Sequence, residues 1–265
     1  MVREPAVAGR FYEGERRALA RDVGRLLAAG GEPEPVRAIG VVAPHAGYVY
    51  SGGVAGAVYR RAVVPSRVIV LGPNHTGLGE RAALWTGQAW RTPLGDVPVD
   101  PALTASLAGG LVTADARAHA REHSLEVQVP FLQVVRPDVA IAALCLGPLD
   151  FDECAELGRT VAAAARAAGA LVVASSDMSH YIPAAEAREK DRRAIDRILA
   201  LDAEGLHRTV RREGITMCGV IPATVMLVAA RELGATGAEL VRYAHSGQVS
   251  GDDDAVVGYA GVVVT

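Results

Sequence analysis

Three histidines stand shortly after apolar, strand-like segments of the chain. They are His45, His75 and His180, and each follows a run rich in valine, leucine, isoleucine or alanine. Imidazole binds metal ions when it is neutral and transfers protons near neutral pH. Because the carboxyl ends of parallel strands lie along one edge of an α/β sheet, where ligands bind, we expect the three imidazoles to meet in one metal-binding or proton-transfer pocket.

Taken singly, His45 and His75 also fit hydrogen-bonded loop histidines. Gly47 leaves space beside His45, and Asn74, next to His75, tolerates the left-handed geometry of a turn. Two imidazoles at neighbouring strand ends favour a ligand pair, since iron, copper and zinc all accept imidazole. The glycine-rich loop around His75 lacks the Lys-Ser/Thr pair of a P-loop and does not predict phosphate binding.

Asp177 lies three residues before His180 in a serine-rich segment. A carboxylate at this spacing orients an imidazole, so we expect Asp177 to hydrogen-bond a histidine of the pocket and His180 to act as the catalytic acid and base. The alternative is that Asp177 caps the next helix. A Ser-His-Asp hydrolase would use Ser175, Ser176 or Ser179, but the sequence has no G-x-S-x-G elbow.

The remaining histidines favour structural roles on local sequence alone. His123 and Glu126 share one helical face at a spacing of three residues, which is typical of a salt-bridged surface helix. This pair does not form the H-E-x-x-H zinc motif. His119 and His207 lie in polar surroundings and are predicted to be exposed.

Composition excludes several classes of protein. The 265 residues are half apolar and carry a net charge of −3, without a basic tract that would indicate nucleic-acid binding. No apolar run approaches the roughly 20 residues of a membrane-spanning helix, and the N-terminus lacks the apolar segment of a signal peptide. Three scattered cysteines predict neither a disulfide framework nor a structural zinc site. We expect a soluble, cytoplasmic protein.

Strand and helix signals alternate along the chain. The strand candidates are Ala38–Ala43, Arg67–Leu71, Val139–Leu146, Ala170–Ser175, Glu239–Ala244 and Ala255–Val264. The helix candidates are Glu15–Ala29, Gly53–Arg61, Pro101–Leu107, Asp152–Ala168, Ala184–Leu201, Asp202–Arg212 and Ile221–Leu233. This alternation predicts an α/β fold with a mostly parallel, doubly wound sheet and flanking helices. The short link between the last two strands permits an antiparallel hairpin at one edge, and residues 81–99 are predicted to form strands and turns. No boundary divides the chain, so we expect one domain over residues 1–265.

Seven segments occur in a characteristic order: Arg3–Tyr12, Ala43–Gly52, Leu71–His75, Glu122–Glu126, Ser175–His180, Cys218-Gly219 and Tyr243-Ala244. Together they resemble the MEMO (mediator of cell motility) family, called AmmeMemoRadiSam system protein B in prokaryotes. The match runs nearly end to end. It implies a fold similar to the LigB-type (class III) extradiol dioxygenases, which bind non-haem iron with two histidines and a carboxylate.

The resemblance also implies a set of site residues. In animal members of the family, iron or copper is held by two histidines and a cysteine. The two histidines correspond to His45 and His75, and a neighbouring aspartate and histidine correspond to Asp177 and His180.

The family's cysteine is not found at the expected place. Counted from Tyr243-Ala244, its position falls on Val249, whereas Cys218 matches a different family cysteine. The third ligand is then His245, a carboxylate of Asp252–Asp254, or absent. Without a thiolate we expect weaker binding of metal, and a preference for Fe(II) or Zn(II) over Cu(I).

Two functions follow from these expectations. The first is a metal-dependent oxidoreductase of the dioxygenase-like type that acts on a small molecule, with a divalent metal, Fe(II) before zinc or copper, on His45, His75 and His245. The second is a non-catalytic module that binds a peptide or small molecule in the same pocket. The resemblance further implies a functional link to radical-SAM and AMMECR-type proteins, and nothing in the sequence indicates nucleic acid or membrane as a partner.

Overall fold

The computed structural model describes residues 1–29, 31 and 34–265. The strands are β1 Val2–Arg3, β2 Gly40–Ala43, β3 Arg67–Pro73, β4 Ala82–Leu84, β5 Ala89–Thr92, β6 Gly95–Pro98, β7 Thr113–Ala114, β8 Ala140–Leu146, β9 Leu171–Ser175, β10 His180–Ile182, β11 Ala238–His245 and β12 Val256–Val264. The α-helices are α1 Arg16–Ala28, α2 Tyr48–Arg61, α3 Pro101–Leu107, α4 Val129–Val135, α5 Phe151–Ala168, α6 Ala184–Leu199, α7 Ala203–Arg212, α8 Val220–Glu232 and α9 Gly247–Ser250. A 3-10 turn, Glu126–Gln128, precedes α4.

The main sheet has the strand order β10-β12-β2-β9-β3-β8-β4-β7, and β11 pairs with β12. The strands β2, β9, β3 and β8 are parallel to one another at its centre. The strand β12 runs antiparallel to both β2 and β11. The predicted mostly parallel α/β sheet with an antiparallel element at one side is therefore confirmed. The strands β11 and β12 form the hairpin, and β12 runs opposite to the four central strands.

Alternate residues of the central strands face two separate hydrophobic cores, because successive side chains of a strand point to opposite faces. Ile69 and Leu71 of β3 pack into the core that contains the apolar faces of α5 and α8. Val68 and Val70 pack into the core formed with α1, α2 and α4. Burial on both faces explains why these strands are continuous apolar runs in the sequence.

Residues 81–99 form β4, β5 and β6, as the strand-and-turn pattern predicts. The strands β5 and β6 join β1 in a second, three-stranded sheet. Among the described residues, none of the helices combines the length and the apolar character that crossing a membrane requires.

The helix α2 begins at Tyr48, five residues before the predicted start at Gly53. Glycine usually disfavours a helix interior, but here it permits close packing against α1. A Cβ atom on Gly52 would lie 2.7 Å from Cδ1 of Leu26, and one on Gly56 would collide with the Leu26 backbone. Packing against α1 therefore outweighs the low helix propensity of these glycines.

Candidate metal centre

Two parallel strands on either side of β9 deliver the two histidines to one edge of the sheet. The strands β2 and β3 flank β9, and His45 and His75 each lie two residues after a strand end. Their ring centroids are 5.2 Å apart. Cys218, in the loop before α8, completes a group in which one ligand atom from each residue lies within 4.8 Å of the others. The sheet thus brings two imidazoles and a thiol to one point.

The hydrogen bonds of His45 fix which ring nitrogen carries the proton. The Ser175 hydroxyl donates to the Ser124 carbonyl at 2.7 Å, so its oxygen can only accept from the His45 ring, 2.8 Å away at Nδ1. The side-chain amide of Gln128 also donates to this hydroxyl oxygen at 2.8 Å. Nδ1 of His45 therefore carries the hydrogen, and the lone pair of Nε2 faces the sulfur of Cys218. Burial, with the charges of His123 and His75, lowers the pKa of His45 well below its usual value, which keeps the ring neutral.

Glu122 orients His75 in the same way. Its carboxylate accepts from Nδ1 of His75 at 2.8 Å and from the His75 backbone N–H at 2.6 Å. A carboxylate does not donate, so Nε2 of His75 has the free lone pair. Burial alone would raise the pKa of Glu122, but the His75 hydrogen bond and charge and the Ser124 amide lower it to about 2. Glu122 thus orients His75 in the way that carboxylates orient metal-binding histidines in other proteins.

Cys218 reaches the histidines because Gly219 follows it. The sulfur lies 3.2 Å from Nε2 of His45 and accepts the Asp177 backbone N–H at 3.3 Å. A Cβ atom on Gly219 would collide with the carbonyl of Ser175 and the side chain of Ser176. Burial raises the pKa of the Cys218 thiol, so an unliganded sulfur keeps its proton, whereas a bound cation favours the thiolate.

A cysteine lies beside the two histidines, but it is not at position 249, where the resemblance puts the family's cysteine. Val249 lies on α9 with 51% of its surface exposed. Cys218, 31 residues earlier, is the cysteine that meets His45 and His75. The weaker metal binding and the preference for harder ions expected from Val249 stay predictions, and Cys218 offers a sulfur donor that they did not include.

The structure does not place His245 with the two histidines. Its buried ring contacts Nη2 of Arg188 at 2.8 Å through Nε2, and Nδ1 lies 3.6 Å from the Asp253 carboxylate. The described residues form two potential metal-ligand groups, and neither includes His245 or an aspartate of Asp252–Asp254. Since Arg188 donates to Nε2, this lone pair of His245 is already used.

His123 is a site residue that the local sequence did not identify. Its ring stacks on His75 at 4.6 Å and lies 5.5 Å from the ring of His45. His75, Glu122 and His123 form the second potential ligand group. The Glu122 carboxylate already accepts from the His75 ring and from three backbone amides, so the first group is the better candidate for a metal site.

Asp177 and His180 lie beside the pocket but do not bond to each other as expected. Oδ1 of Asp177 accepts the backbone N–H of His45 at 2.8 Å. The His180 ring is oriented instead by the Thr216 carbonyl, 2.9 Å from Nδ1. Asp177 therefore fixes the backbone of the His45 loop, 132 residues away in sequence. This role is neither the predicted bond to an imidazole ring nor the alternative of a cap on the following helix.

The expected surface positions of three other residues are wrong. His119 and His207 are buried, with His119 against two tryptophan rings and His207 beside Phe151. Glu126 is fully buried and forms an ion pair of 2.7 Å with Arg3. Polar neighbours in sequence do not predict exposure where distant segments cover the residue.

The Arg3–Glu126 pair ties the N-terminal segment to the site. Glu126 also accepts hydrogen bonds from the Tyr12 hydroxyl at 2.6 Å and from the backbone of Ala6 and Val7. The segment held in this way places the Phe11 ring 4.8 Å from the ring of His123. By holding this segment in place, the buried Arg3–Glu126 ion pair positions Phe11 against one side of the histidine cluster.

Comparisons with known proteins match nearly the whole chain to one family. A family profile described as Memo-like protein matches residues 3–263. A MEMO1 family protein of Methanopyrus kandleri is 42% identical, over 99% of each chain. Another, from Methanococcoides burtonii, is 43% identical over 99% of this chain and 100% of its own, and one from Aquifex aeolicus is 42% identical over 99% and 98%. The crystal structure of an uncharacterized Escherichia coli K12 protein has a TM-score of 0.53 at 16% identity, covering 86% of this chain and all of that one, which shows likeness of fold alone.

Proposed function

The chain belongs to the Memo-like protein family, and from that premise we propose that it is a metal-dependent oxidoreductase acting on a small molecule. His45, His75 and Cys218 would hold the metal ion. The observation that carries the proposal is the convergence of two imidazole lone pairs and one sulfur within 4.8 Å.

The donor set fits a transition metal. Ser175 and Glu122 hold the protons of both imidazoles on Nδ1, so both Nε2 lone pairs are ready to bind an ion without rearrangement. Such outer hydrogen bonds are typical of metal-binding histidines. These outer hydrogen bonds support a cation site, in which the ion would replace the Cys218 thiol proton that faces Nε2 of His45.

Two imidazoles and a thiolate suit iron, copper and zinc. We propose Fe(II) as the ion, and the thiolate makes Cu(I) the principal competitor. When bound, a redox-active ion would supply electron transfer and polarise a coordinated substrate oxygen. Three protein ligands leave room for substrate, as in catalytic rather than structural sites.

Two further imidazoles can move protons. Nδ1 of His180 donates to the Thr216 carbonyl, which leaves Nε2 as an acceptor. Burial lowers the pKa of His123, so its ring is neutral near pH 7 and can accept a proton from a bound substrate. In this proposal Asp177 supports the His45 loop, and His180 and His123 exchange protons with the substrate.

Metal analysis tests the proposal. Protein purified without an affinity tag is analysed for iron, copper and zinc, and is then titrated anaerobically with Fe(II) and Cu(I). We expect one ion per chain, lost in His45→Ala and Cys218→Ala and retained in the surface control Arg208→Gln. Equal metal content in all four proteins would exclude the site. An ion that binds but does not change oxidation state with oxygen and small-molecule reductants would favour the binding module.

A further inference from the structure

A cleft of about 360 Å³ opens from the candidate metal centre. His75 and Cys218 are among the residues that line it. Its walls are mostly apolar, formed by Pro73, Leu146, Pro148, Leu149, Val220 and Ile221. This volume lies within the range of small-molecule sites, which combine apolar walls with a few polar groups that set orientation.

Besides the two ligands, polar side chains in the lining come from Asn74 and Arg211. The Asn74 amide is already committed, because it donates to the Leu78 carbonyl and accepts from Thr76 and Gly77. Arg211, in the last turn of α7, therefore offers the cleft its remaining polar group.

Arg211 differs from the arginines around it. Along α6 and α7, five arginines each form an ion pair with a carboxylate: Arg192, Arg193, Arg197, Arg208 and Arg212. Within the described part of the chain, Arg211 has neither an ion pair nor a side-chain hydrogen bond. A guanidinium matches carboxylate and phosphate with two parallel hydrogen bonds, so an arginine without a partner at a cleft is suited to an anion.

We propose that Arg211 binds the anionic group of the substrate. The substrate class is a small molecule with an apolar body, a carboxylate or phosphate at one end and a metal-binding oxygen at the other. The part of this proposal that concerns the metal-binding oxygen of the substrate rests on the proposed function. The part that concerns its anionic group can be tested in metal-free protein. Arg211 is thus a specificity-determining residue that lines the same apolar cleft as His75 and Cys218.

Calorimetric titration of metal-free protein tests the anion end with three probes of similar shape: 3-phenylpropionate, 2-phenylethyl phosphate and neutral 3-phenylpropanamide. We expect the two anions to bind at least about tenfold more tightly than the amide, as charge-assisted hydrogen bonds predict. Arg211→Gln removes that advantage and leaves the affinity for the amide unchanged. The anion that binds more tightly identifies the substrate's charged group.

Arg212→Gln is the matched control, since Arg212 occupies the same last turn of α7 but pairs with Glu213. This variant should bind all three probes as the wild type does. Equal binding of the amide and the anions, an equal loss in both variants, or no binding of any probe would overturn the proposal. Iron and copper titrations of Arg211→Gln should match those of the wild type, so a failed metal site and a failed anion site give different results.

Discussion

The sulfur of Cys218 lies 3.2 Å from Nε2 of His45, although 173 residues separate the two in sequence. The contact joins the loop after β2 to the loop before α8, on the two sides of the Ser175–Asp177 segment. The Asp177 backbone donates to the sulfur, and its carboxylate accepts from the His45 backbone. One short segment after β9 therefore sets the distance between the thiol and the imidazole.

Replacement of Cys218 by alanine should weaken binding of Fe(II) or Cu(I) by more than about 100-fold, since loss of an outer partner alone typically costs 10–100-fold. Cu(I) should suffer the larger loss because thiolate is its preferred ligand. Competitive titration with a chromogenic chelator measures both affinities. Val249→Cys adds a thiol on exposed α9 and should leave both unchanged. A gain in affinity there would show that a side chain at position 249 reaches the metal.

Glu122→Gln should lower metal affinity about 10–100-fold without removing a ligand, because the carboxylate fixes the His75 tautomer and ring. The substitution Glu80→Gln serves as the control, since it removes an exposed carboxylate from a nearby loop. Chelator competition gives the affinity, and thermal melting of metal-free protein gives the stability. Unchanged affinity with lower stability would mean that Glu122 supports only the backbone of its loop.

Glu126→Ala should destabilise the fold by about 3–5 kcal/mol, since it leaves the buried charge of Arg3 without its partner. Glu4→Ala, which removes one partner of exposed Arg91, should cost no more than about 1 kcal/mol. Urea unfolding measures both changes in free energy. Equal effects of the two substitutions would show that water reaches the Arg3–Glu126 pair.

Stability should fall as the pH drops from about 6.5 to about 4 because of His119. Burial, aided by the charge of Arg3, lowers the pKa of His119 to about 4 despite its hydrogen bond to the Ala83 carbonyl, whereas Asp115 and Glu122 act in the opposite direction. Between the two pKa values the unfolded chain binds a proton that the folded chain does not, so acid favours unfolding. The loss is at most about 3 kcal/mol, from 1.36 kcal/mol per pKa unit. Urea unfolding of wild type and His119→Gln at pH 7, 5.5 and 4 checks this, since the variant should lose less stability in acid. Parallel losses would assign the acid sensitivity to other groups.

Local sequence was enough to predict the architecture and half of the site. Continuous apolar runs specified strands covered on both faces, and Asp100 before Pro101 specified the start of α3, where it caps Leu103. These features depend on near neighbours in the chain. The placement of His45 and His75 after two such strands was sufficient to predict their meeting, because parallel topology puts strand ends on one edge.

The third donor and the supporting residues depend on tertiary packing. Cys218 precedes a helix rather than following a strand, so no periodicity connects it to the histidines. The need for glycine at position 219 comes from the close approach of the Ser175 backbone, which local sequence does not reveal. His123 and Glu126 have the spacing of a surface helix, yet segments more than 40 residues away bury Glu126 and stack a second imidazole on His123. Local pattern fixes which face of an element is apolar, but which polar groups meet there depends on packing between elements that are remote in sequence.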